Sequence, residues 1–160
     1  MSANTALQAQ DNTVLRWVTF YLDAEKYGIN VMQVQEVLRV TEIAPVPGAP
    51  GYVLGIINLR GNVVTVIDTR KRFGLAPKGL DDSARIVIVE SNDQVVGIMV
   101  DSVAEVVDLK LSEIESAPNV GTDDGSRFIH GLASQDDEIL IIIDLNKVLT
   151  DEEWEEVTRS

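Results

Sequence analysis

The chain has 160 residues, with 26 acidic against 13 basic side chains, a formal net charge of −13 and no cysteine. Its length suits one domain or two small packed modules with a real core, while the charge argues against nucleic acid, which needs a concentrated basic footprint. Disulfides and thiolate metal sites are excluded, and no apolar run is long enough to span a bilayer, so direct membrane insertion is not expected.

Residues 1–13 are small and polar and read as a disordered leader, lacking the basic start and apolar stretch of a signal peptide; the protein is expected to stay where it is made. Leu15 to Tyr21 is rich in β-branched and aromatic residues, and Asp23-Ala24-Glu25-Lys26 supplies a polar turn before Tyr27-Gly28-Ile29, which together predict a hairpin. Asn30 to Val34 predicts one helical turn capped by Asn30, followed by an extended stretch from Glu36 to Thr41, with Asp101 to Ala104 as the counterpart of the turn. Ala44 to Gly51 is a loop by composition, with three prolines.

The next signal is a hairpin, Ile56 to Arg60 and Val63 to Ile67 flanking Gly61-Asn62 as a two-residue turn. This register puts Ile57, Leu59, Val64 and Val66 on one face. The cluster Arg70-Lys71-Arg72 reads as the solvated end of a strand rather than a phosphate site. Strands are predicted at Arg85 to Glu90, Gln94 to Val100, Glu105 to Leu109 and Ile139 to Ile143. Thr150-Asp151-Glu152-Glu153 has capping-box spacing, so a short helix should follow, with Trp154 packed inward as its anchor.

Most of these elements occur twice. Gly28/Gly97, Ile29/Ile98, Val31/Val100, Val34/Val103, Glu36/Glu105 and Val37/Val106 recur at one constant spacing. Tyr52 to Ile56 returns as Phe128 to Leu132, and Ile67-Asp68 as Ile143-Asp144, after a polar loop from Asn119 to Ser126 lengthens the spacing. The repeat divides the chain into a first module at 14–80, a second at 84–150 and a helix at 151–160. Many short strands with little helix between them argue for a mainly all-β fold of small barrels or a sandwich.

Little in the sequence points to catalysis. His130, the single histidine, lies in an apolar run and reads as a partly buried structural residue, since a general base also needs a nucleophile and an orienting partner. The clusters Asp81-Asp82, Asp123-Asp124 and Asp136-Asp137-Glu138 lack the alternating oxygen ligands of a calcium loop. There is no phosphate-binding glycine motif, and no cofactor is expected. Arg60 offers a fork of donors at a hairpin corner, where the second half carries Asp136, so the two corners have opposite charge and are not interchangeable surfaces.

At Gly55-Ile56-Ile57-Asn58-Leu59-Arg60-Gly61-Asn62-Val63-Val64-Thr65-Val66-Ile67-Asp68, together with Tyr27-Gly28-Ile29, Val34 to Val37 and Val96 to Val103, the sequence resembles the CheW family of bacterial chemotaxis adaptors. The resemblance covers nearly everything after Thr13. It implies two SH3-like five-stranded β-barrels packed about a shared apolar junction, with an exchange of terminal strands left open. It also implies a non-catalytic scaffold, monomeric when free and cytoplasmic, that is recruited to receptor arrays at the inner membrane. Its partners would be the cytoplasmic tip of a chemoreceptor (methyl-accepting chemotaxis protein) and the regulatory domain of the histidine kinase CheA.

Residues matching the family's receptor-facing region are Val34, Glu36, Gly55, Arg60 and Val106, with an apolar groove between the barrels to receive a helix. A kinase contact falls near Glu115, Asn119 and Val120, where Asn119-Val120 departs from the acidic and aromatic residues that can occur there. Thr65 and Thr69 replace residues common in the family and read as neutral. The alternatives are a detached regulatory module of a chemosensory kinase and a small-ligand-binding β-barrel.

Overall fold

A computed structural model describes residues 13–116 and 128–158. The expected leader up to residue 12 and the candidate kinase residues Asn119 and Val120 lie outside that range. Strand β1 (Val14–Leu22) turns tightly through Asp23-Ala24 into β2 (Glu25–Asn30), with Leu22 opposite Glu25. A 3-10 turn at Val31–Gln33 is capped as expected, Asn30 Oδ1 accepting from the Met32 amide at 2.9 Å, and leads into β3 (Val34–Arg39). Then come β4 (Val53–Leu59), β5 (Asn62–Asp68) and a one-turn helix, Thr69–Arg72. The second half supplies β6 (Arg85–Ser91), β7 (Gln94–Val100), β8 (Ser102–Lys110), β9 (Glu115–Ser116), β10 (Ile129–Gln135) and β11 (Glu138–Ile143). A helix follows at Asp151–Thr158.

The strands form two sheets, ordered β8-β1-β2-β11-β10-β9 and β3-β6-β7-β5-β4. Under the sequence repeat the second order maps strand for strand onto the first five of the other. The register repeats as well: the one parallel pairing in each sheet sets Val66 against Gly97 and Ile142 against Gly28. Each sheet draws on both halves of the chain. Strands β1 and β2 complete the sheet of the second half, and β6 and β7 that of the first. The exchange of strands left open by the sequence is thus present in these two SH3-like barrels.

Three apolar clusters follow from this pairing. One barrel is filled by Trp17, Val107, Leu109, Ala133, Leu140 and Ile142. The other is filled by Ile57, Val64, Val66, Ala84, Ile86, Ile88 and Met99. The largest cluster lies between them, where Phe20, Leu22, Ile29, Val87, Val89 and Ile98 meet Leu149 and Trp154. Each such side chain is worth roughly 1.5–3 kcal/mol when fully buried, so the junction is as much a core as either barrel. The capping box also forms: Glu153 N donates to Thr150 Oγ1 at 3.1 Å and Thr150 N to Glu153 Oε1 at 2.8 Å, while Trp154 is buried.

Three local expectations are corrected. The β4–β5 turn is Arg60-Gly61, one residue earlier than expected, because Leu59 pairs with Asn62; the predicted faces survive, with Ile57 opposite Val64. Asp101 to Ala104 forms no helical turn. The Asp101 carboxylate is taken by Arg70 at 2.7 Å and by the Asp23 amide at 2.8 Å, so the chain runs straight into β8. The basic cluster is a helical turn rather than a solvated strand end. Arg70 bridges Asp23 and Asp101, and Arg72 grips Glu153 while stacking 4.8 Å over the Tyr52 ring.

Candidate functional site

The β4–β5 hairpin ends at a corner where Arg60 adopts φ 52°, and the Asn58 side chain closes the turn by accepting from the Gly61 amide at 2.9 Å. That backbone directs the guanidinium toward Glu36 on β3. Arg60 Nη1 donates to Glu36 Oε1 at 3.2 Å, and Nη2 makes a closer contact with Oε2. This fork-on-fork geometry is the strong form of the pair. The hydrogen bond from Arg60 is the main reason that the Glu36 carboxyl is held below its ordinary range and the guanidinium is raised in turn. The Arg60 side chain remains 69% exposed, so a partner has access to it. Val37, the next residue along β3, is exposed too, on the strand's opposite face.

The structure therefore brings Glu36 and Arg60 together, and Val34 opens the same strand as Glu36, half-buried against the central cluster. Gly55 has a steric role. At φ 153° a Cβ there would stand 2.3 Å from the Ala44 carbonyl oxygen, where the chain crosses β4 through an isolated bridge between Ala44 and Ile56. Val106 is exposed on β8, in the other sheet from the remaining four. Glu115 is exposed in β9, opposite Leu132.

Sequence reasoning missed Lys26. Its side chain is only 7% exposed, with Nζ 2.5 Å from Glu105 and 3.6 Å from Glu138. Burial works to lower the ammonium pKa, but the hydrogen bond and charge of Glu105, with Tyr21 and Glu138 behind them, raise it overall. The same bond lowers the Glu105 carboxyl. The equivalence of Glu36 and Glu105 was the available signal, since a glutamate kept at both positions invites the question of what each one pairs with.

A groove of about 750 Å³ lies elsewhere, between the proline loop, the outer face of β4–β5 and the last helix, with Val46, Pro50, Ile56, Val63 and Val157 in its walls. None of the five receptor candidates lines it, so it is not the inter-barrel groove expected from the sequence. His130 is exposed on β10, not partly buried, because its place in the strand alternates with the inward Gly131 and Ala133. Thr65 is not neutral: its hydroxyl donates to the Val157 carbonyl at 2.5 Å and ties the last helix to β5. Among the described residues no cluster of His, Asp or Glu is placed to hold a metal ion, and no helix is long and apolar enough to cross a membrane.

Residues 16–153 match the family described as the CheW-like domain. The chain is 37% identical over 146 residues to "Chemotaxis protein CheW" of Bacillus subtilis, covering 91% of this chain and 94% of that protein. It is 35% identical over 144 residues to the protein of the same name in Treponema pallidum, covering 88% and 85%. Among solved structures, scaffolding protein TtCheW from Thermoanaerobacter tengcongensis superposes with a TM-score of 0.81 at 38% identity, covering 88% of this chain and 97% of that one.

Proposed function

Because this chain belongs to the CheW-like domain family of chemotaxis scaffolds, we propose that it couples the cytoplasmic tips of chemoreceptors to the histidine kinase CheA, without catalysis of its own, in the cytoplasm at receptor arrays. The observation that carries this reading is the accessible Glu36–Arg60 pair, whose arginine side chain stands 69% exposed at the hairpin corner. A charged fork at an accessible corner suits a docked partner helix, whose register it would fix. The receptor surface comprises Val34, Glu36, Arg60 and Val106, and Gly55 acts by holding the crossing behind them. The kinase contact is assigned to the barrel end that carries Glu115.

The test is reconstitution. Purified chain should raise autophosphorylation of the cognate CheA only when receptor cytoplasmic fragments are present. Arg60→Ala should keep the fold yet weaken receptor binding on the order of tenfold, as expected of an anchoring residue. Activation without receptor fragments, or binding that ignores Arg60, would remove the reading.

A further inference from the structure

The receptor surface proposed above has an almost complete double in the other barrel. Val34, Glu36 and Gly55 recur as Val103, Glu105 and Gly131, and the exposed Val106 is itself the repeat of the exposed Val37. The backbones agree as closely as the residue types. Asp136 stands at the corner equivalent to Arg60 with φ 51° against 52°, and Gln135 pairs with Glu138 as Leu59 pairs with Asn62. A Cβ at Gly131 would stand 2.6 Å from the Glu115 carbonyl oxygen, repeating the close crossing at Gly55. A partner that reads these features thus meets two pseudo-equivalent sites on one molecule.

Three substitutions around the glutamate separate them, Lys26 for Val95, Asp136 for Arg60 and Glu138 for Asn62, and the first two bear on its charge pairing directly. At the equivalent of Arg60 the second barrel carries Asp136, which cannot pair with Glu105. At the equivalent of Val95 it carries Lys26, whose buried ammonium already holds Glu105 at 2.5 Å. We propose that Lys26 and Asp136 are specificity-determining residues that disable the second site, so that a receptor helix docks in only one of two pseudo-symmetric ways. Lys26 engages the glutamate from inside, and Asp136 puts an acidic group where the partner would find a guanidinium. Mismatched charge at a docking surface discriminates by repulsion as well as by lost attraction. A rigid array needs one orientation per adaptor, and pseudo-symmetry by itself would permit two.

This inference rests on the receptor reading and is tested by suppression. Binding of a cytoplasmic fragment from the cognate chemoreceptor is measured by titration calorimetry for the unmodified chain, for Arg60→Ala, and for Arg60→Ala combined with Lys26→Val and Asp136→Arg. The expected result is a loss on the order of tenfold with Arg60→Ala and recovery of most of it in the triple variant. Far-UV circular dichroism and thermal midpoint establish that the variant is folded. Should it not fold, Glu138→Asn is added, which completes the match to Val95, Arg60 and Asn62. A folded variant that stays as weak as Arg60→Ala overturns the proposal and leaves the receptor reading intact. If Arg60→Ala binds like the unmodified chain, the receptor reading fails and the proposal with it.

Discussion

Arg70 and Asp101 belong to opposite halves of the sequence and meet at 2.7 Å, with Asp23 closing the other side of the guanidinium at 2.8 Å. The arginine side chain is 11% exposed and the Asp101 side chain 16%. One cation therefore ties the end of β5, the β1–β2 turn and the β7–β8 crossing. Replacing Arg70 with Met should cost about 1–3 kcal/mol, between the values for exposed and fully buried pairs, because Asp101 would keep only the Asp23 amide and Lys78 at 3.7 Å. Urea denaturation of the variant checks this. A midpoint unchanged from the parent would mean that the apolar junction alone fixes the two barrels.

Gly55 and Gly61 separate two uses of the same residue. Both have positive φ, but a Cβ at Gly61 meets nothing within 4 Å, whereas one at Gly55 collides with backbone. Gly61→Ala should cost about 1 kcal/mol, the usual penalty for a side chain in that backbone region. Gly55→Ala should cost roughly 3 kcal/mol or fail to accumulate, since the Ala44 carbonyl has no flexible end to move. Paired thermal melts give the comparison, and equal losses would refute the steric account of Gly55.

The last helix is held by a large contact and a small one. Trp154 is buried in the junction cluster, and Thr65 donates to the Val157 carbonyl. Trp154→Ala should cost about 3–5 kcal/mol, while Thr65→Val should cost about 1 kcal/mol for one lost hydrogen bond. In hydrogen exchange, Thr65→Val should loosen amides near residue 157 without touching β6 or β7. Exchange that rises uniformly would instead make the helix part of the global unfolding unit.

Acid should destabilise the protein through identifiable carboxyls. Burial alone would raise the Glu153 pKa, but the Thr150 amide and the Arg72 guanidinium bring it below its ordinary value; Glu105 is lowered by Lys26. A depressed folded pKa means that the unfolded chain binds more protons over that range. The stabilisation is complete above the ordinary glutamate value and is lost as pH falls through the lower folded one. Glu153→Gln should therefore flatten the decline in stability between roughly pH 5 and pH 3. Denaturant midpoints collected across that interval for both proteins supply the check, and parallel curves would assign the acid loss to other groups.

The repeat was legible because Gly28 and Gly97 mark equivalent crowded points of the two sheets: a Cβ at either meets an isoleucine side chain of its own barrel, Ile142 at 3.3 Å or Ile86 at 2.8 Å. The capping box at Thr150 was legible because both of its hydrogen bonds are local in sequence. What escaped was non-local. Nothing near Asp101 announces that Arg70 takes its carboxylate, so a local helical turn looked available there. Lys26 read as a turn residue because its partners lie far along the chain, at Glu105 and Glu138. At Arg60, the one-residue error in the turn came from treating Asn62 as a turn former, when Asn58 is the asparagine whose side chain closes it.

The connections between sheets are very short: a 3-10 turn of three residues from β2 to β3, and Asp101 alone from β7 to β8. Neither gives the chain room to fold β1–β2 back beside β3, or β6–β7 beside β8, so a half cannot close upon itself. Strand exchange with a twin is how short hinges resolve that constraint between separate molecules. This chain contains the twin. It carries within one polypeptide what would otherwise be a domain-swapped homodimer, and covalent linkage leaves each copy free to change without its partner changing too.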